Sequence, residues 1–205
     1  MTIGLAPTHG WQRFAHSESA WGTAITWEFR AEVLDAEKAQ AAISDCMVFV
    51  AEVDRLFSTY RPDSVITALR NGLIEEEVVP PLVRAVLHNC RIARDLSHGA
   101  FDPWALPEGV DPSGYVKGWA ADLMAQLCVD RGFSNVTVNA GGDISCRGYQ
   151  SPEKPWVMGI QHPFDKSAII ETVEVLNAGI ATSAEYERGE HIFNCLLYTS
   201  DAADE

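Results

Sequence analysis

Positive charge is scarce in this chain: 15 lysines and arginines stand against 29 acids, a formal charge of −14. A field of that sign repels phosphate backbones and anionic membranes, so nucleic acid is not an expected partner. A phosphate compound would have to be met locally, by backbone N–H groups, single basic residues or a bound metal. Long apolar runs are also lacking. MTIGLAPTHGWQRF holds no stretch of signal-peptide length, and nothing later reaches the roughly 18 apolar residues of a membrane span. The expectation is a soluble, cytoplasmic chain with no membrane anchor. No C-x-x-C pair joins any of the five cysteines, Cys46, Cys90, Cys128, Cys146 and Cys195. That spacing argues against a zinc site and a redox motif, and for buried reduced thiols. Repeats and low-complexity segments are absent too, which leaves 205 residues, 47% of them hydrophobic, enough to bury one core as a single domain.

The last eleven residues, CLLYTSDAADE (195–205), break the pattern of the rest. They back-translate into a string that looks like a transposase-type sequencing-library adapter read in frame, and the expectation is that they are an assembly artefact outside the fold. Setting aside Asp201, Asp204 and Glu205 leaves the balance strongly acidic.

WGTAITWEFRAEV (21–33) alternates as a strand does, and Asp35 is placed to cap the alanine-rich run after it. There Ala42, Cys46, Phe49, Val53 and Leu56 recur at helical spacing. Pro62 disfavours continuation, and Asp63 or Ser64 can start a shorter helix closing at Asn71-Gly72. Pro80-Pro81 opens the next helix, with Leu82, Val86, Leu87, Cys90, Ile92 and Ala93 on or near its apolar stripe and Gly99 as its stop. After the loop FDPWALPEGVDPSG, a further helix carries Val116, Trp119, Leu123 and Leu127 on one side and ends at Gly132. Strands are predicted at 135–139, 143–148, 156–161, 169–176 and 179–183. Helices beside mostly antiparallel strands make an α+β fold.

Four segments place small or acidic residues where an ordinary loop does not need them: GAFDP (99–103), DPSGYVKGWAAD (111–122), NAGGD (139–143) and ATSAEYERGEHI (181–192). Asp111 and Ser113 precede a helix start, whose free N–H groups face whatever lies in front of them. Lys117, read as lying in the first turn, opposes the helix dipole unless it reaches an anion. The segment reads either as a capped helix or as a phosphate or nucleotide site. Gly141-Gly142 reads either as a hairpin turn or as bare backbone approached by a flat ligand. Asp102 and Asp111 are either solvated loop carboxylates or ligands for ribityl or ribose hydroxyls and a ring edge. His98 and His191 are equally open between structural and catalytic roles.

Taken together and in order, WGTAI, FSTYRPDSVITALRNG, FDP, DPSG-x-VKGWAAD, NAGGDI and ATS-x-x-YERG-x-HI resemble the ApbE family, the FAD:protein FMN transferases. The resemblance covers roughly residues 20–194. It implies an ApbE-type, T-fold-like single domain over 20–194, with 1–19 as an N-terminal extension. It further implies FAD as donor, Mg²⁺ as cofactor, and transfer of FMN onto a threonine or serine of a target protein with release of AMP. By position, Trp21 stands where the family's usual methionine contacts FAD, and Ala100, Phe101 and Asp102 match its flavin segment. Tyr60 of FSTYRPDS, Asp111, Lys117, Asn139, Gly141, Gly142, Thr182 and Ser183 match further positions of the FAD site. Gly114 stands where a main-chain carbonyl helps to hold the metal, and His191 is the candidate that orients or deprotonates the acceptor hydroxyl.

The chain departs from the family at three places. Trp21 replaces methionine, and Ala184 replaces the commoner glycine after A-T-S. After HIFN the family runs on to an Asp/Thr segment with side-chain metal ligands; its absence implies that this chain as given is truncated and inactive. Two other readings use the same residues: a Mg²⁺-dependent FAD pyrophosphatase with water as acceptor, and a non-catalytic FAD-binding module.

Overall fold

The structure, a computed structural model, describes residues 2–3, 10–165 and 167–182. The predicted tail at 195–205, Ser183, Ala184, His191 and Cys195 lie outside the described residues. The chain divides into two compact units, Met1–Val50 with Gly118–Tyr186, and Ala51–Lys117 with Glu187–Glu205.

The first unit is built on a six-stranded antiparallel sheet: β1 (Thr2–Ile3), β2 (Gln12–Ala20), β3 (Thr23–Ala31), β4 (Val136–Ala140), β5 (Asp143–Arg147) and β8 (Gly179–Ile180), in that spatial order. Ile25, Trp27 and Phe29 of β3 point to one face and pair in register with Ala140, Val138 and Val136 of β4. Two helices supply the other half of this core. Ala39, Ala42, Ile43 and Cys46 come from α1 (Ala36–Phe57), and Ala121, Met124, Ala125 and Cys128 from α4 (Ser113–Asp130). Trp27 is fully buried, so its truncation to alanine costs about 3–5 kcal/mol. On β5 the alternate residues Ile144 and Cys146 pack in a smaller cluster with Trp156 and Val175 of a two-stranded ribbon, β6 (Trp156–Gln161) and β7 (Ile169–Val175).

The second unit is helical. The end of α1 is followed by α2 (Val65–Arg70), a 3-10 turn at Glu76–Val78 and α3 (Pro81–Leu96). Leu56, Ile66, Val79, Val83, Val86, Leu87 and Cys90 are buried in it.

Caps place most helix ends where the sequence predicts them. Asp35 Oδ1 accepts from the Lys38 N–H at 3.0 Å. Ser64 Oγ accepts from the Thr67 N–H at 3.0 Å, and α2 ends at Asn71 with Gly72 left-handed at φ +64°.

Three expectations need correction. The strand expected from Trp21 begins at Thr23, because Trp21 and Gly22 form the two-residue turn of a β2–β3 hairpin, both with positive φ, 53° and 71°. Its partner β2 pairs along its whole length with β3 and buries Phe14, Ala15 and His16. On α3, Ile92 is 45% exposed and Val83 is buried instead, which completes an i, i+3, i+4, i+7 stripe with Val86, Leu87 and Cys90. On α4 the fully buried face is Ala120, Ala121, Met124, Ala125 and Cys128, while Trp119, Leu123 and Leu127 flank it half-buried. Small residues face α1 because the helices approach closely: Cys46 Sγ lies 3.7 Å from the Met124 carbonyl and 3.9 Å from Cys128 Sγ.

Cys46, Cys90, Cys128 and Cys146 are buried free thiols. Burial pushes Cys90 up to about 12 and Cys146 up to about 11, so both are protonated and inert near neutrality.

Candidate functional site

In the first unit the candidate residues gather at one end of the six-stranded sheet. Asn139, the penultimate residue of β4, turns its side chain back so that Oδ1 accepts from the Gly142 N–H at 2.9 Å. Gly141 and Gly142 then close the β4–β5 hairpin between paired Ala140 and Asp143, at φ +65° and +101°. The hairpin reading of the glycine pair therefore holds. Pairing of Ile25 with Ala140 sets this turn beside the Trp21-Gly22 turn of the neighbouring hairpin. A Cβ on Gly141 would lie 2.6 Å from Thr23 Oγ1, and one on Gly142 would meet Thr182 Cβ at 3.5 Å. The backbone is thus bare where three segments distant in sequence converge, and an open depression of about 300 Å³ lies alongside, lined by Ser19, Ala20, Gly22 and Thr23.

Trp21 belongs to this end of the sheet but is anchored elsewhere. Its indole Nε1–H donates to the Val50 carbonyl at 3.3 Å, and its half-buried ring packs on the main core. A left-handed backbone is unusual for so large a side chain, and the tether on α1 helps to hold it there.

In the second unit, α3 ends through Ser97, followed by His98 and Gly99 at φ 53° and 84°. His98 is exposed there, part of a helix terminus. The turn returns the chain so that the Phe101 N–H donates to Ser97 Oγ at 3.0 Å. Asp102 Oδ1 accepts from the Trp104 N–H at 2.9 Å, and the Asp111 N–H donates to the Pro103 carbonyl at 2.8 Å. Asp111 Oδ1 accepts from the Ser113 N–H at 2.9 Å and satisfies one donor at the start of α4. Gly114 lies against the Phe101 ring, where an added Cβ would stand 3.3 Å from Cε2. Phe101, Asp102, Asp111 and Gly114 are therefore tied to one short stretch of structure, with Ala100 exposed beside them.

One candidate differs from expectation in its place on a helix. Lys117 is the fifth residue of α4, since the helix begins at Ser113. The dipole fades within the first turn, so the electrostatic reason for noticing this lysine weakens. Tyr60 is 97% exposed on the segment between α1 and α2. Sequence reasoning missed Thr23, whose contact with Gly141 depends on strand register, and it missed Trp104, whose ring lies between Arg91 and Arg94 with guanidinium carbons 4.8 and 5.6 Å from its centroid.

Among the described residues no helix is long and apolar enough to cross a membrane. Nor do any three of their His, Cys, Asp and Glu side chains group to hold a metal ion.

Known proteins resemble this chain in sequence and in fold. The chain is 37% identical over 78 residues to the FAD:protein FMN transferase of Klebsiella pneumoniae strain 342, an overlap of 38% of this chain and 22% of that protein. With the FAD:protein FMN transferase of Escherichia coli K12 it is 38% identical over 78 residues, again 38% and 22% of the two chains. The chain thus spans about a fifth of the length of the curated relatives it matches. The solved flavin transferase ApbE from Vibrio cholerae has the same fold, with a TM-score of 0.76 at 20% identity over 92% of this chain and 78% of that one. The family description "ApbE family" matches residues 21–109 and 107–194, which take in both hairpin turns, the Asp102 loop and the start of α4. On that match, and with the α+β fold the structure shows, this chain belongs to the ApbE family.

Proposed function

We propose that the protein containing this chain is an FAD:protein FMN transferase that moves FMN from FAD onto a threonine or serine hydroxyl of a target protein and releases AMP. The observation that carries this reading is the convergence of the Gly141-Gly142 turn, the Trp21-Gly22 turn and Thr182 at one end of the sheet. Backbone without Cβ atoms lets a flat ring lie close, and family membership says which ring to expect. Trp21, Gly141, Gly142, Thr182 and Ser183 are assigned to FAD, as are Tyr60, Ala100, Phe101, Asp102, Asp111 and Lys117, the carboxylates taking hydroxyls or a ring edge. Asn139 acts through the turn it caps.

In the reaction the acceptor oxygen bonds to the flavin-side phosphorus of FAD, the P–O bond to AMP breaks, and the acceptor proton goes to a base. His191 is assigned that proton, since histidine changes protonation near neutral pH. The chain's own contribution is alignment, which is most of what phosphoryl transfer asks of a protein.

Mg²⁺, implied by the resemblance, would offset charge on the departing phosphate. The described residues do not by themselves fit it: no three side-chain ligands are grouped, and Gly114 offers only a main-chain carbonyl where the ion favours six oxygens. Reduced buried thiols and the acidic charge favour a cytoplasmic setting.

The test is incubation of the full-length protein that contains this chain with FAD, Mg²⁺ and a threonine-bearing acceptor domain, read by in-gel flavin fluorescence and mass spectrometry. Covalent FMN on the acceptor is expected. Free FMN and AMP with an unmodified acceptor would favour the pyrophosphatase, and bound FAD without AMP release would favour a binding module.

A further inference from the structure

We propose that Trp104, held between Arg91 and Arg94, is a positioning residue that fixes the Asp102 carboxylate for its ligand; this rests on the assignment of Asp102 to FAD. The Trp104 N–H donates to Asp102 Oδ1 at 2.9 Å across Pro103, whose ring fixes one backbone torsion of a three-residue turn. The Ala105 N–H reaches the Asp102 carbonyl at 3.2 Å, so the turn is tied at both the side chain and the backbone of the aspartate. The main chain at residue 104 is therefore one of the groups that orient the carboxylate.

What holds residue 104 is its ring. Arg91 and Arg94 lie three apart on α3, on one helix face, and both guanidinium groups lie over the indole. Arg91 is itself anchored by Glu76 Oε2 at 2.6 Å, which connects the 3-10 turn through α3 to the loop. Arg70 adds a bond from Nε to the Glu108 carbonyl at 3.2 Å farther along the same loop. In a chain with 15 basic residues against 29 acids, two cations on one half-buried indole are a concentrated use of scarce charge. A carboxylate fixed in advance loses less freedom on binding than one on a loose loop, and that is where Trp104 acts.

The experiment is FAD titration of the whole chain, followed by flavin fluorescence, for the parent, W104A, W104F, R91M, D102N and the double variant W104A/D102N. Circular dichroism checks that each is folded. W104A is expected to weaken FAD binding roughly tenfold, and W104F, which keeps a ring face for the guanidinium groups, to restore most of it. In the D102N background W104A should add little, whereas a merely structural tryptophan would weaken binding equally in both backgrounds. R91M leaves Trp104 in place and should fall between parent and W104A, which keeps the test decisive if W104A fails to fold. If the parent binds FAD and W104A or R91M matches it, or if the losses from W104A and D102N add, the positioning role is wrong while the FAD site stands. A parent chain that binds no FAD removes the assignment of Asp102 and this proposal with it.

Discussion

A Cβ placed on Gly141 would come within 2.6 Å of Thr23 Oγ1, so the turn after β4 is fitted to the residue that opens β3. Gly141 is also left-handed at φ +65°. Gly141→Ala meets both obstacles at once and is expected to cost about 2 kcal/mol of stability. FAD binding should weaken with it, because the displaced turn is the proposed flavin wall. Chemical denaturation and FAD titration check the two effects separately; a variant as stable as the parent would show that the turn yields easily.

Asp111 does two jobs on this reading. Its carboxylate accepts from the Ser113 N–H, so Asp111→Ala should lose about 1 kcal/mol of stability. Asp111→Asn keeps a capping oxygen and should recover that stability while FAD binding stays weak. Unchanged FAD affinity in a folded Asp111→Ala variant would take the residue out of the site.

Arg91 beside Glu76 holds that carboxyl below its ordinary value of 4.5. Folding therefore favours the ionised form, so the stabilisation is complete above the unfolded value and fades as pH falls through the lowered one. The gap in melting temperature between the parent and Glu76→Gln should be constant from neutrality down to about pH 5 and narrow progressively as pH falls further. The gap will be small, because the two side chains are 31% and 41% exposed and water screens the pair. A gap that does not narrow at all as pH falls below the unfolded value would place its origin in packing.

In the full-length protein that contains this chain, His191→Ala is expected to lower FMN transfer by on the order of 10²-fold while leaving FAD affinity close to the parental value. The rate of the parent should rise with pH through the histidine range, since the neutral ring is the base, and the variant should lose that dependence. Equal loss in binding and transfer would make the residue a FAD contact.

The sequence displays its helices better than its sheet, for a physical reason. Helix ends are set by local chemistry, and Asp35, Ser64 and Gly72 carry their caps in residues a few positions apart. β2 was not legible, because QRFAHSESA offers weak alternation and owes its place to nine partners on β3. The buried face of α4 was also hidden. Its helix is apolar on most sides, so only the neighbour decides that Ala121 and Ala125 face inward while Leu123 and Leu127 sit at the flank. Within the candidate site, Gly141 and Gly142 could be read as a turn from their chemistry. The presence of Thr23 and Thr182 at that turn depends on pairings between distant segments, which spacing cannot reveal.

The sheet also implies an order of assembly. The β2–β3 ladder closes around a two-residue turn, so it can zip as soon as both strands exist. Pairing of β3 with β4 must wait for chain ends far apart to meet: the Asn135 side chain bonds the Arg30 carbonyl across 105 residues of sequence. Loop closure is the slow part of such a search, and the whole of the second unit's Ala51–Lys117 lies inside that loop. The edge of β3 that later receives β4 is therefore exposed during synthesis for as long as that intervening stretch takes to emerge, and for that interval the hairpin is the part of the molecule most open to pairing with another chain.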